Sequence, residues 1–444
     1  MDSIELILPD LYGNASEKLA AAKQIASLCV DIPVLEYVAE HDQLISALDR
    51  LLASAFTTQL IDDSLSLDLG FTIGKIILAL SEVEDFHEIL SNHRIGASLL
   101  HHLCSSNVKL FSNESSNRRR ENFVVICLRI LVNLASNVGT LKKMIKKGLV
   151  PLVVSCLLNM KSRKSHMVLL QLLKHCSVFE ETAIEIASHG RDLIPMLVRL
   201  LNNASTEMHS DVITILFNLS FLEDCLGHIS DVDGIHSCLV SKLQEESRAI
   251  RLLYHLSSKQ GNRNKLFAAR ISDFLMQEMK KATKQKMDEA LAGLLVNLPV
   301  IMDEFSSDMM RFLKHVVETN DGSAAPCCDD LKLEVNIWLG GLCTSKECCC
   351  WLANILDDVN HIFTQSFVRR EDDDMSIEIL HLYQQLLLPE ETRFQVIGGD
   401  GIIDAIVSCL DKGRKIGAAA GKCLILIQEL GRNGDGSLGK VGCF

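Results

Sequence analysis

The amino-acid sequence predicts an all-α fold, a right-handed α-solenoid of roughly ten helical repeats. The first observation is a helix that ends in Leu-Val-Asn-Leu-Ala-Ser at residues 131–136 and returns in altered form along the chain. One polar residue marks each copy, at steps of 42, 43, 37 and 42 residues: Asn133, His175, Asn218, His255 and Asn297. A repeat of roughly 40 to 47 residues made of two or three helices is typical of HEAT and armadillo arrays.

Length and composition also favour a repeat array. The chain has 444 residues, more than the roughly 250 to 300 that one hydrophobic core supports. Hydrophobic residues make up 48% of the chain, aromatic residues only 5%, and there are 7 prolines. This is the composition expected of aliphatic helices packed on two sides, so we interpret the chain as armadillo repeats.

The repeat pattern predicts six segments. A polar, serine-rich stretch with three arginines interrupts the array, and it accounts for the longer step of 54 residues from Ala79 to Asn133. The predicted segments are 1–103 (N-terminal capping and first repeats), 104–122 (a flexible inserted loop), 123–318 (central regular repeats), 319–330 (a linker), 331–430 (C-terminal repeats) and 431–444 (a flexible glycine-rich tail).

Each central repeat is expected to have a turn that opens its pair of helices, where a residue that favours turns precedes the Leu or Ile that begins a buried stripe. These turns are Gly148-Leu-Val-Pro151, Asp192-Leu-Ile-Pro195 and Asp233-Gly-Ile-His236. Arg94-Ile95-Gly96 resembles them in an earlier repeat.

The charge is unevenly distributed along the chain. Residues 1–112 hold 6 basic and 16 acidic side chains (−10), residues 113–290 hold 25 and 18 (+7), and residues 291–444 hold 13 and 23 (−10). The basic middle either attracts an acidic partner, including nucleic acid or a membrane surface, or simply solvates the outer faces of the helices.

The sequence gives little support for an enzyme, a cofactor or a metal site. GFTIGK (70–75) and GAAAGK (417–422) are one residue short of a phosphate loop, and their glycines suit close helix packing instead. The cysteines at 343 and 348–350 lack the paired spacing of a zinc site, and most others lie in apolar helical runs, as reduced thiols of a cytosolic protein would. The acidic first residues lack a signal peptide's basic region, and no apolar run reaches the roughly 20 residues of a membrane span.

The candidate functional residues are the polar side chains that interrupt the apolar helices. An unpaired buried amide or imidazole costs about 1–3 kcal/mol, so their recurrence suggests a partly exposed face. An asparagine there offers a donor and an acceptor to an extended peptide, or it bonds within the array. Residues four positions earlier share that face. The candidate protein-binding set is Arg129, Asn133, Gln171, His175, Thr214, Asn218, Arg251, His255 and Asn297.

Several stretches resemble the kinesin-associated protein family, the non-motor subunit of heterotrimeric kinesin-2. They are FHEILSNHRIGASLLHHL (86–103), CLRILVNLASNVGTLKKM (127–144), VITILFNLSFLED (212–224), RAIRLLYHLSSKQGNRNKLF (248–267) and ILHLYQQLLLPEETRFQVI (379–397). The resemblance spans residues 65–430 in the family's order. The family's long, highly charged insertion has no counterpart in 104–122.

This resemblance implies a non-enzymatic adaptor without a cofactor. Its partners would be kinesin-2 motor tails and cargo proteins, with no nucleic acid and no membrane insertion, and its location cytoplasmic and microtubule- or cilium-associated. The alternative is a general cytosolic armadillo scaffold that binds an unrelated extended or acidic peptide.

Overall fold

The computed structural model describes residues 2–57, 64–110, 117–203, 206–282, 289–298, 329–354, 373–398 and 401–433. All regular structure within these ranges is helical, which confirms the predicted all-α class. None of the helices in these ranges has the length and apolar character needed to cross a lipid bilayer. The chain forms two compact units, residues 1–235 and 236–444.

The first unit contains fifteen described α-helices and two short 3-10 helices, Leu8–Tyr12 and Glu84–Phe86. The α-helices are α1 (Asp2–Ile7), α2 (Ala15–Leu28), α3 (Ile32–Glu40), α4 (Asp42–Thr57), α5 (Ser64–Ser81), α6 (His87–Asn92), α7 (Ile95–Leu110), α8 (Asn117–Ala135), α9 (Val138–Ile145), α10 (Leu149–Asn159), α11 (Arg163–Ser177), α12 (Glu180–Ser188), α13 (Gly190–Asn203), α14 (Thr206–Leu219) and α15 (Glu223–Asp231).

The second unit continues the same alternation of short and longer helices. Its described helices are α16 (Ile235–Lys242), which begins at the unit boundary, α17 (Arg248–Ser257), α18 (Gln260–Ala268), α19 (Ile271–Ala282), α20 (Glu289–Asn297), α21 (Asp329–Leu342), α22 (Lys346–Asn354), α23 (Asp373–Leu387), α24 (Glu390–Gly398), α25 (Ile402–Ser408) and α26 (Arg414–Asn433).

A repeat consists of three helices in chain order, as in α9, α10 and α11. The third helices of successive repeats pack on one another and form the spine of each unit. In the first unit α2, α5, α8, α11 and α14 pack in that order, and in the second α17, α20, α21, α23 and α26 do the same. On α8, the side chains of Leu128, Leu131 and Leu134 are fully buried. These ten third helices of the described chain contain the predicted repeat helices, including those that end near Asn133 and Asn218.

A left-handed backbone turn opens the second helix of several repeats. Gly148 has φ of 90°, and Arg94 and Arg270 adopt φ of 60° and 62° at the corresponding place. The next residue is a fully buried Leu or Ile in each case, for example Leu149. The turns predicted at Gly148 and Arg94 are thus confirmed. Asp192 differs, because α13 already begins at Gly190 and runs through it.

The predicted loop 104–122 is mostly helical, which corrects the sequence-based segment boundaries. α7 continues to Leu110 and α8 begins at Asn117, so only 111–116 remain outside the described residues. The sequence-based interpretation was wrong because polar residues in a first helical turn do not oppose a helix, and arginine favours one. Most of the predicted linker 319–330 and the tail from 434 onward lie outside the described residues.

The first threonine or asparagine of several short helices bonds back to the preceding third helix. Thr182 Oγ1 donates to the carbonyl of Cys176 over 2.6 Å, and Asn262 Nδ2 donates to the carbonyl of Leu256 over 2.9 Å. These bonds satisfy carbonyls at a helix end that have no partner within the helix. They fix the turn that connects one repeat with the next.

The glycines of GFTIGK allow α5 to pack closely, as the sequence predicts. A Cβ atom on Gly70 would lie 2.6 Å from Ala55 Cβ of α4 and 3.2 Å from the ring of Phe123 of α8. A Cβ on Gly74 would lie 3.0 Å from Ile126 of α8. In GAAAGK, a Cβ atom on Gly417 would lie 2.6 Å from the carbonyl oxygen of Leu410, whereas Gly421 has open space, so the two motifs differ at their second glycine.

Gly70→Ala is expected to destabilise the protein, whereas Gly421→Ala is expected to stabilise it. Both replacements gain about 1 kcal/mol in helix propensity. Only the first forces a methyl group against Ala55, and overpacking of this kind costs about 1–3 kcal/mol. Chemical denaturation of the two variants beside the wild type measures the difference. Equal shifts for both variants would contradict the close approach of α4 and α5.

Candidate protein-binding face

The predicted functional residues occupy matching positions on third helices; their exposed side we call the third-helix face. In the first unit the pairs are Arg129 and Asn133 on α8, Gln171 and His175 on α11, and Thr214 and Asn218 on α14. In the second unit they are Arg251 and His255 on α17, with Asn297 on α20. All nine are exposed or half-buried, whereas most neighbours in these helices are buried. Each unit therefore presents these polar groups to solvent.

Each asparagine of this set bonds to a serine of the preceding repeat. Asn133 Nδ2 donates to Ser81 Oγ over 2.9 Å, and Asn218 Nδ2 donates to Ser177 Oγ over the same distance. Within the second unit, Asn297 Nδ2 donates to Ser257 Oγ over 3.0 Å. One amide hydrogen therefore joins adjacent repeats, and the Oδ1 atom and second hydrogen stay outside this bond.

The serine partners carry a sequence signal that the repeat analysis missed. Ser177 lies two residues after His175, and Ser257 lies two residues after His255. In the repeat of Asn133 the equivalent position is Ala135, and the next repeat has His175 in place of an asparagine. A serine at this position thus lies one repeat before Asn133, Asn218 and Asn297, although Ser220 also lies one repeat before His255.

The Asn218–Ser177 bond is expected to contribute about 1 kcal/mol of coupling between two repeats. Asn218→Ala, Ser177→Ala and the double variant form a cycle whose coupling energy is measured by urea denaturation. A control cycle pairs Asn218→Ala with Ser188→Ala, since Ser188 bonds only to a carbonyl within α12 and should show no coupling. The bond would have no energetic role if both cycles gave zero.

Two ion pairs also join adjacent repeats of the first unit. Arg129 Nη2 lies 3.4 Å from Glu82 Oε1, with both side chains more than half exposed, so the pair adds little stability. Lys174 Nζ lies 2.5 Å from Asp211 Oδ1 in a more buried setting. Arg129 is thus partly neutralised, and Lys174, which the sequence analysis did not single out, is matched by a carboxylate.

The two histidines of the face are expected to be neutral at pH 7. Burial lowers the pKa of His175, and the Lys174 ammonium lowers it further, while Asp211 opposes this. Burial also lowers the pKa of His255. A neutral imidazole presents one donor and one acceptor, as an amide does. The histidine and asparagine positions therefore offer similar hydrogen-bonding groups.

The cysteines near residue 343 contribute to packing in the described part of the chain. No cluster of three or more histidine, cysteine or carboxylate residues suited to a metal occurs among the described residues. Cys349 Sγ donates to the carbonyl of Cys343 over 2.8 Å, the bond that Thr182 makes in its own repeat. Predicted burial is confirmed for Cys127, Cys156, Cys238 and Cys423.

A comparison with family models identifies the relatives of the chain. The model of the kinesin-associated protein family matches residues 107–433, about three quarters of the sequence. The chain belongs to this family. The matched residues contain all nine members of the third-helix set and every described third helix from α8 to α26.

Solved structures with the same fold confirm the armadillo assignment. A structure from a study of the phosphorylation-controlled interaction between cadherin and beta-catenin matches with a TM-score of 0.71 and 13% identity, over 96% of this chain and 83% of that one. The crystal structure of an engineered protein matches with a TM-score of 0.64 and 15% identity, over 96% and 99% of the two chains. At such low identity, the likeness concerns the fold alone.

Proposed function

We propose that this member of the kinesin-associated protein family is a non-enzymatic adaptor that binds kinesin-2 motor tails and cargo proteins. The observation that carries the proposal is the family match over 107–433, which includes the whole candidate face. An armadillo scaffold supplies an extended surface for protein partners. The proposed location is cytoplasmic, on microtubules or cilia, with microtubule-based transport as the process.

The third-helix face of each unit, taken by itself, is a proposed binding surface for a motor tail. Its asparagine and histidine side chains repeat at one register and are half-buried, so they meet solvent while their neighbours hold the core. Each asparagine has acceptor capacity beyond its serine bond, which suits the N–H groups of an extended segment. Arg129 and Arg251 are exposed and add positive charge.

Affinity purification of the tagged chain from its own cells, with mass spectrometry, tests the proposal. Two kinesin heavy chains in near-equal amounts are the expected result. Direct binding is then measured with purified motor-tail segments at micromolar concentrations. Failure of both would remove the motor assignment and leave the armadillo fold intact.

The second candidate function is a scaffold for an unrelated extended or acidic peptide, favoured by the exposed arginines of the face. Arg129→Glu, Asn133→Ala, Arg251→Glu and His255→Ala are then expected to weaken binding of the captured partner. Arg191→Glu is the matched control, because Arg191 is an exposed arginine on α13, a second helix. Equal losses with the control variant would place binding elsewhere on the chain.

A further inference from the structure

Two consecutive turns of the first unit expose large apolar side chains at the same register. They connect third helices to the next short helices, as Val178-Phe-Glu-Glu181 after α11 and Phe221-Leu-Glu-Asp224 after α14. Val178 and Phe221 are each 67% exposed. The equivalent residues of two preceding repeats are polar, Glu82 and Ser136, so the apolar character belongs to these two turns. We call residues 178–181 and 221–224 the apolar edge.

The two turns share one backbone geometry. Phe179 precedes α12 with φ −97° and ψ 131°, and Leu222 precedes α15 with φ −92° and ψ 123°. Neither side chain caps its helix, whereas Asn137 at the same place one repeat earlier accepts a hydrogen bond from the Thr140 amide. Apolar residues therefore occupy cap positions where polar ones are preferred, and local helix stability does not explain them.

The Asn218–Ser177 bond holds the two turns next to each other. Ser177 directly precedes Val178, and Asn218 lies three residues before Phe221. The Phe221 ring also contacts the Phe217 ring edge-to-face, with centroids 5.2 Å apart, and yet it stays mostly exposed. Scattered exposed apolar residues are ordinary, but large ones in adjacent turns form a surface suited to a partner.

Carboxylates border this surface on both turns. Glu180, Glu181, Glu223 and Asp224 are all exposed, and the described part of the chain provides none of them with an ion-pair partner. The cation in contact with the edge is Lys142, whose Nζ lies 5.7 Å from the Phe179 ring centroid. Although residues 113–290 are net positive, four exposed carboxylates border the apolar centre of the edge, and this local arrangement favours a positively charged partner.

We infer that the apolar edge binds a basic amphipathic helix of another protein. Packed neighbouring helices such as α11 and α14 lie about 8–10 Å apart. Two turns of a partner helix span about 10.5 Å, so apolar residues about seven positions apart would meet Val178 and Phe221 together. Lysines or arginines beside them would face the four carboxylates. This surface does not depend on what the third-helix face binds.

A labelled peptide of three heptads, with leucine at one heptad position, lysines beside it and alanine elsewhere, tests the inference by fluorescence anisotropy. The full-length wild-type chain is expected to bind it with micromolar affinity that weakens as salt increases. V178S/F221S and E223K/D224K are each expected to weaken binding by about tenfold. All four residues are exposed, so these variants should fold normally.

The matched controls come from the turn Leu388-Pro-Glu-Glu391 of the second unit. Leu388 is 52% exposed there, but the preceding repeat has Ser345 and Lys346 in place of an apolar pair. L388S and E390K, which remove an apolar group and a carboxylate from that turn and leave the Glu391–Lys346 ion pair in place, should alter binding less than twofold. This comparison separates a local surface from attraction to a chain of net charge −13.

Several results would overturn the inference. They are no binding of the basic peptide, equal binding of a version with glutamate in place of lysine, or equal losses in the edge and control variants. Light scattering adds a further outcome: a dimer that V178S/F221S converts to monomers would mean that a second copy covers the edge. Pull-down with motor tails, carried out on the same variants, tests the proposed adaptor function separately, because that function is assigned to the third-helix face.

Discussion

Tyr383→Ala is expected to lower the free energy of unfolding of the second unit by about 3–5 kcal/mol, as typical of deleting a large buried side chain. Tyr383 lies on α23 with 0% exposure and is the largest fully buried side chain among the described residues. α23 packs against the third helices α21 and α26, so the cavity would open inside the repeat stack. A domain stability of about 5–15 kcal/mol makes this loss a large fraction of the total.

Two controls isolate the origin of the loss in guanidinium denaturation. Tyr383→Phe keeps the ring and removes only the hydroxyl, so we expect a loss of about 1 kcal/mol. Phe394→Ala removes a comparable ring that is 62% exposed on α24, and its effect should stay within about 0.5 kcal/mol. Similar losses for Tyr383→Ala and Phe394→Ala would contradict the burial of Tyr383.

The second large effect is loss of stability in the first unit above pH 9. Burial raises the pKa of the Cys156 and Cys176 thiols to about 12 each, and it also raises the pKa of Cys127. A thiol in the unfolded chain has a pKa of about 8.5. Above that pH the unfolded state releases protons that the folded state retains, so the free energy of unfolding falls as pH rises.

These three thiols set a minimum for the expected magnitude, because burial also raises the pKa of Cys29, Cys104 and Cys225 in the same unit. Each of the three lowers the free energy of unfolding by about 1.4 kcal/mol per pH unit between the unfolded and folded pKa values, or about 4 kcal/mol together from pH 9 to pH 10. Thermal unfolding from pH 7 to pH 10, in a reducing buffer, measures it. C156A/C176A should reduce the loss between pH 9 and pH 10 by about 3 kcal/mol, even though its cavities lower stability at every pH. An unchanged slope would show that these thiols do not cause the effect.

The sequence predicted the repeat helices well because their spacing is a local pattern. Leu128, Leu131 and Leu134 recur with helical period and are fully buried, and the polar residue Asn133 marks the same place in the repeat as Asn218. The turn at Gly148 followed from glycine's tolerance of positive φ. The loop at 104–122 was overestimated because polar composition alone does not distinguish a helical turn from a loop.

The candidate face was predicted as a set of residues, but not with its bonds. The recurrence of Asn133, Asn218 and Asn297 indicated half-exposed positions, which the structure shows. Their serine partners lie 40 to 52 residues earlier, so no local pattern joins them. Whether this face binds the motor tail stays a prediction for the binding experiments.

The sequence by itself determined the helical class, the repeat spacing and the kinesin-associated protein family, because hydrophobic periodicity and family-like segments are readable along one chain. The tertiary structure decided which similar motifs have similar surroundings. Gly74 meets Ile126 whereas Gly421, at the corresponding position, meets open space, and Val178 and Phe221 lie on adjacent turns in solvent. Those differences depend on atoms brought together from distant repeats, and packing of whole helices sets such contacts.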